Sequence, residues 1–438
     1  MKKHSFTKKI ARVALLFLLP LTLAGCSASQ IPLIGKLFKP PAPKQVNLIY
    51  WGLFEPETVF QSVIEDYQKL HPNVTISYSQ RPVETLKDTK ETLVTRLSQK
   101  SGDLPDMMRI HSTWVAPMAN VLAPSDMSEA DFTSKFYPVA KETCVVGGQV
   151  LAVPLMYDGL GLFYNKDIFA EEKIDKPPAN WDDFQQLAVK LTKLEGNTLK
   201  RSGAAIGLAD TIPHAADIFG LMLAQSQVTI PADLDSRAAV DALTFYVRFY
   251  KDSKVWNERL INSLKAFANG ETAMIFAPSW RVYDLQSLNP TLKFGVAPVP
   301  QAPSSEEGNL TNINWASFWV EAVAKTSANP KEAWEFLKYL STPEVQRKLG
   351  SEQGKIRSFG EPFALRELSS EAAAMSELIE PIIEGAETAK TSIITDASGN
   401  DQYTEAITKA IEAAAKGTDP QQALTTAKNT LTQLLGTK

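Results

Sequence analysis

Four tryptophans stand where an apolar run gives way to polar residues: Trp51 ahead of Glu55, Trp114 after His111, Trp280 beside Arg281, and Trp315 after Asn314. A planar ring offers an apolar face for stacking, and the acids, amides and guanidiniums beside it can hydrogen-bond the rim of whatever stacks there. Asp158, Asp210 and Arg357 extend this set. The chemistry they suit is recognition. Three histidines besides His4 are present, His71, His111 and His214, none at metal-ligand spacing, and no H-E-x-x-H, G-x-S-x-G or P-loop pattern occurs. A His111 and Cys144 dyad would draw on unrelated segments, and Cys144 in ETCVVGG reads as a small buried hydrophobe. No metal and no cofactor is expected.

The elements that must position these residues follow from the apolar patterning. Val46 to Trp51 reads as a strand, Pro56 opens a helix with Val59, Phe60, Val63, Ile64, Tyr67 and Leu70 on one face, and Val74, Ile76 and Tyr78 alternate as a second strand, a βαβ unit. A helix near 83–99 and a buried strand from Met107 to Ile110 follow. In open α/β sheets, ligands bind at the carboxyl ends of strands, which singles out Trp51, Phe54 and Glu55, then His111, Ser112 and Trp114. The stretch GQVLAVPLMYDGLGLFYNKDIF, Gly148 to Phe169, holds two short apolar runs broken by Tyr157, Asp158, Gly159 and Gly161. Pro154 cannot donate to a ladder and the glycines relax the backbone, so the chain can leave one sheet here and enter another.

Beyond this crossing, Asn180 caps a helix that stops at Gly196, Ala204 to Leu208 reads as a strand, and Asp210 to His214 as the loop at its end. A buried strand ends at Phe276, ahead of Pro278-Ser279-Trp280-Arg281. Trp181, Trp256, Trp319 and Trp334 lie on inferred helices, a helix edge or a strand interior and read as structural. Helices open at Pro330 and Pro343, and amphipathic helices are expected over 371–390 and 403–435.

The first residues read as an address. Lys2, Lys3, Lys8, Lys9 and Arg12 precede the apolar run Val13 to Leu23, too short for an ordinary span. Leu23-Ala24-Gly25-Cys26 resembles a lipobox, with Cys26 as lipid acceptor. The boundaries are thus 1–25 signal peptide and 26–45 a proline-bearing tether. Roughly 390 residues remain, more than one core usually supports, so two domains are expected. Lysines and arginines are scattered among acids, which argues against a nucleic-acid partner, and Cys144 leaves no internal disulfide.

The ordered series lipobox, YWG, LPDMMRI, GQVLAVPLMYDGLGLFYNKDIF, NWDDF, FANGETAMIFAPSW, FGVAPVP and NPKEAWEFLKYLSTPEVQRKLG resembles the maltose-binding-like solute receptors of ABC importers, extracellular solute-binding protein family 1. The resemblance implies a two-lobe α/β fold of the type II periplasmic binding protein class, with crossings near 153–160, 296–303 and 356–363. Lobe I would be 45–155 and 303–358, and lobe II 156–302 and 359–438. It further implies a lipid-anchored, monomeric protein in the periplasm or on the outer face of the cytoplasmic membrane. Such a protein delivers a sugar, an oligosaccharide, disaccharide or glycosyl-polyol, to a permease. Candidate ligand contacts are Trp51, Glu55, His111, Trp114, Asp158, Asp210, Trp280, Arg281, Trp315 and Arg357. The aromatic matching APSW, Trp280, would stack on the ligand, and Asp158 matches an acidic residue of the crossing segment. A phosphorylated polyol such as glycerol 3-phosphate is the alternative within the family. Outside the importer reading stand a sensory or scaffolding lipoprotein and a glycoside hydrolase using Glu55 and Asp158.

Overall fold

The first strand, Val46–Gly52, buries Val46, Leu48 and Tyr50 on one face and lies parallel to Val74–Gln80, with Val46 opposite Val74. It also pairs in parallel with Met107–His111. The helix Glu57–Leu70 covers this sheet with Val59, Phe60, Val63, Ile64 and Tyr67, while Leu70, read onto the same face, ends the helix exposed, and Pro56 serves as its cap rather than its first residue. The computed structural model describes residues 44–436 apart from 82–85, 261, 305–307 and 398–400. The expected leader, Cys26 and nearly all of the tether therefore lie outside the described residues.

Two further strands complete the large sheet, in the order Val74–Gln80, Val46–Gly52, Met107–His111, Trp319–Val323, Ala152–Pro154. Trp319–Val323 runs antiparallel to Met107–His111, so Trp319 stands opposite His111. A smaller sheet has Leu160–Asn165 at its centre, antiparallel to Met274–Pro278 on one side and Phe294–Ala297 on the other. The chain passes from the large sheet to the small one between Pro154 and Leu160, within the glycine-bearing stretch expected to cross. There Met156 bridges Phe363, Tyr157 N donates to Pro362 O at 2.9 Å, and Gly159 bridges Ala316. The returning segment beside Asp158 is thus 316–318, later in the chain than the expected 296–303. Gly159 is required by this approach, since a Cβ there would stand 2.6 Å from the Trp315 carbonyl oxygen.

Several elements differ from the sequence pattern. The helix capped by Asn180 ends at Leu191, and Gly196, with φ of +59°, turns a hairpin between Lys193–Glu195 and Thr198–Arg201. The 204–208 segment is buried but irregular. In place of one helix over 371–390 there are short helices Ser369–Ala374 and Glu380–Glu384 and a strand Ala389–Lys390. The long C-terminal pattern is two helices, Asp401–Ala415 and Pro420–Gly436, parted at Gly417 and Pro420. Among the described residues no helix is long and apolar enough to cross a membrane.

Candidate functional site

Carboxyl ends of the parallel strands and the crossing segments meet around a cavity of about 520 Å³. Asp158 lies at its floor. Its carboxylate accepts from Gly159 N at 2.7 Å, Ser279 N at 2.9 Å and Trp280 N at 3.3 Å, so the first crossing grips the turn that follows Met274–Pro278. Burial raises its pKa to about 6 even against these three donors. Trp280, held by this grip, keeps 44 % of its surface exposed, unusual for a tryptophan at the end of a buried strand.

Arg281 lies over the Trp280 ring, 3.8 Å from its centroid. Its Nε donates to His214 Nε2 at 3.0 Å and its Nη1 to Asp284 at 2.7 Å. Arg357, on the segment expected to cross near 356–363, donates to Glu361 Oε1 at 2.6 Å, and Tyr283 donates to Gly360 O at 2.6 Å beside it. Burial first, then the nearby Glu55 carboxylate, raise Glu361 to about 8.

Trp319 forms the opposite wall with Phe54, their rings edge to face at 5.1 Å. Read from the sequence as structural, Trp319 instead faces the cavity. It is the first residue of an antiparallel strand, and so sits at the same sheet edge as the carboxyl ends of its parallel neighbours. Behind it His111 and Trp114 pack edge-on at 5.1 and 5.5 Å. Burial lowers His111 to about 3, leaving it neutral. Thr113 N donates to its Nδ1, so Nε2 carries the proton toward Ser317 Oγ at 3.2 Å.

Of the ten residues expected to touch a ligand, Asp158, Trp280, Arg281 and Arg357 line the cavity. Glu55, His111, Trp114 and Trp315 are buried behind lining residues: Glu55 pairs with Arg109 and lies 4.0 Å from Arg357, and Trp315 Nε1 donates to Asp217 at 2.9 Å. The remaining two, Trp51 and Asp210, are not brought to it. Trp51 is covered by Arg81 at 3.8 Å, and the Asp210 side chain is 69 % exposed near Lys416. Trp181, Trp256 and Trp334 are buried with bonded indole nitrogens. Besides Trp319, the sequence reasoning passed over Tyr283, Asp217, Asp284, Glu361 and Asp396, all on the wall. His214 and Asp217, one helical turn apart, were a legible signal; Asp396, far along the chain, was not.

His214, Asp217 and Asp396 place one ligand atom each within 4.8 Å of one another, a grouping that could hold a cation. The hydrogen bonds argue otherwise. Arg281 Nε occupies the lone pair of His214 Nε2, so the ring proton sits on Nδ1, 3.3 Å from Asp217 Oδ2. A metal on Nδ1 would move that proton to Nε2, against the guanidinium. The three residues do not fit a metal.

A model of the bacterial extracellular solute-binding proteins matches residues 52–347, which take in the small sheet, the four strands of the large sheet other than Val46–Gly52, and Asp158. The chain belongs to that family. Solute-binding proteins of this family capture ligands for ABC transporters and are not enzymes. Among curated relatives, a maltotriose-binding protein of Pyrococcus abyssi is 24 % identical over 324 residues, 71 % of this chain and 66 % of its own. A galactooligosaccharide-binding protein of Bacillus subtilis is 22 % identical over 384 residues, 83 % of this chain and 85 % of its own. A solved cyclic alpha-maltosyl-1,6-maltose binding protein from Arthrobacter globiformis superposes with a TM-score of 0.72 at 20 % identity, covering 90 % of this chain and all of that one, 100 %. This solute-binding protein thus has the maltose-binding-like type II fold.

Proposed function

We propose that this solute-binding protein captures a sugar or oligosaccharide in the cavity between two lobes, as part of an ABC importer, and hands it to the permease. The observation that carries the reading is Trp280, a half-exposed ring gripped by the crossing-segment carboxylate of Asp158 and facing a cavity rimmed with acids. A sugar presents apolar ring faces and hydroxyl rims, which stack on indoles and donate to carboxylates. Relatives and structural neighbours whose names specify maltotriose, galactooligosaccharide and maltosyl-maltose support the same class.

With the connections running side by side at 156–159, 316–318 and 362–363, the lobes would be roughly 45–155 with 319–361, and 160–315 with 364–438, the second boundary falling later than the expected 303. A ligand touching both lobes binds the closed arrangement better than the open one and shifts the population by that difference. Arg281 already has a carboxylate partner in Asp284, and Arg357, bonded to the Glu361 carboxyl, has Glu55 4.0 Å away, which disfavours a phosphorylated polyol.

Titration of intrinsic tryptophan fluorescence against neutral sugars, polyols and their phosphates tests this. Sugars should perturb the signal where phosphates do not, and Asp158→Ala, which frees the Trp280 backbone, should weaken binding by about 1–3 kcal/mol. A response confined to phosphorylated ligands, or unchanged affinity in Asp158→Ala, would count against the reading.

A further inference from the structure

Behind the wall that carries Arg357 lies a buried set of charges that does not cancel. Arg109, in the middle of Met107–His111, is flanked by two carboxylates: Glu55, which follows Val46–Gly52, and Glu321, its register partner on Trp319–Val323, whose Oε1 accepts from Arg109 Nε at 2.6 Å. All three side chains are almost wholly shut off from water. Glu361 meets this set from the cavity side. Its Oε1 accepts from Arg357 Nη1 at 2.6 Å, and Arg357 Nη2 stands 4.0 Å from Glu55 Oε1, an oxygen with no hydrogen bond of its own among the described residues. The phenols of Tyr50, Tyr78 and Tyr283 border the set and stay protonated, burial raising each. Three carboxyl groups, Glu55, Glu321 and Glu361, thus share two guanidiniums. An anion left over in a low dielectric is costly enough that one of the three keeps a proton instead.

The geometry selects which. Glu55 and Glu321 each lie against Arg109, and Glu55 has Arg357 within reach as well. Glu361 has Arg357 alone and shares it, with Glu55 behind as a like charge. Burial and that like charge raise its pKa to about 8, in agreement. Because Arg357 takes Oε1, the proton belongs on Oε2, which Gln353 Nε2 approaches only at 3.3 Å. Of the three acids, Glu361 is the one that lines the cavity. Several donors on the same wall are already engaged: Tyr283 Oη with Gly360 O, Arg281 with His214 and Asp284, and Trp280 N with Asp158. A sugar's hydroxyls both donate and accept, but its ring and glycosidic oxygens only accept. Facing carboxylates alone, those oxygens would be left without a partner once water is expelled.

We infer that the buried set of Glu55, Glu321 and Glu361 with Arg109 and Arg357 holds one proton on Glu361, and that this carboxyl group donates it to an acceptor oxygen of the bound sugar. Glu361 is then a ligand-selecting residue, and capture is tied to its protonation. The inference rests on the reading of the cavity as the sugar site, and the test separates the two.

Full-length protein in detergent is titrated calorimetrically with maltose, maltotriose, cellobiose and β-1,4-galactobiose at about pH 7, 8 and 9.5, a window above the range in which Asp158 titrates, with a melting curve at each pH to confirm the fold. A sugar that binds at the lowest pH should lose affinity about fivefold or more by the highest, because ionised Glu361 offers the ligand oxygen an acceptor instead of a donor. Near the middle of the window, binding should draw a proton from the buffer, so the apparent enthalpy should differ between phosphate and Tris. Both effects should vanish in Glu361→Gln, whose amide can donate but cannot titrate. Affinity that stays level or rises with pH for every responsive sugar overturns the proton donor and leaves the sugar reading standing, and so does an equal decline in Glu361→Gln. Proton uptake by the wild-type protein needs no variant, and binding without it overturns the inference in the same way. Silence of every sugar overturns both.

Discussion

Glu361 shows how one side chain can register the whole cavity. Its carboxyl is 14 % exposed, paired with Arg357 and close enough to Glu55 that burial and that second carboxylate together raise it to about 8. The unfolded chain ionises this group near 4.5. Between those two values the unfolded state releases a proton that the folded state keeps, so stability is full below the lower one, falls as pH rises toward about 8, and levels off beyond. The slope from a single group is at most about 1.4 kcal/mol per pH unit. Urea denaturation at about pH 5, 7 and 9 should show wild-type losing stability relative to Glu361→Gln, whose amide cannot titrate. Parallel curves for the two proteins would place the proton elsewhere. None of this was legible in the sequence, where Glu361 is one acid in FGEPF; its environment is assembled from Arg357, Glu55 and Arg109, drawn from three separate segments.

At the scale of elements, the crossing at Gly159 is constrained by backbone. A methyl group there would meet the Trp315 carbonyl at 2.6 Å and the Tyr157 hydroxyl at 3.1 Å, so backbone must yield, not a flexible side-chain tip. Gly159→Ala should therefore cost stability, about 1–3 kcal/mol as overpacking does, and weaken ligand binding, because Trp315 backs Asp217 and Asp158 holds Trp280. Thermal melts and a titration check both, and a variant equal to wild-type in each would show that the crossing relaxes freely. The apolar runs flanking this glycine announced two strands and a break, and the βαβ opening was equally plain, since burial of Val46, Leu48 and Tyr50 follows a period of two. Strand direction was not encoded in that way. Trp319 looked interior because its run is apolar, and only antiparallel pairing with His111 puts it at the ligand-facing edge. Likewise Glu55, His111 and Trp315 stand at strand ends as the carboxyl-end rule requires, yet Phe54, Trp319 and Asp217 come between them and the cavity.

At the scale of the whole molecule, the first residues raise a prediction about attachment. The run Val13 to Leu23 between basic residues and Leu23-Ala24-Gly25-Cys26 resembles a lipoprotein leader, so cleavage ahead of Cys26 would leave a lipidated cysteine followed by the proline-bearing stretch 27–45 as a tether. Among the described residues no helix is long and apolar enough to span a bilayer. A single acyl chain gives marginal, reversible binding and stable attachment takes a second, so anchoring should depend on full processing of Cys26. Cys26→Ser is expected to move the protein from the membrane fraction to the soluble one without altering its melting temperature or its affinity for ligand, because Cys26 lies outside the compact unit of residues 45–438. Fractionation of expressing cells, with intact-mass measurement of the membrane-bound form, decides it. A Cys26→Ser protein that stays on the membrane would show that something other than the lipid holds it there.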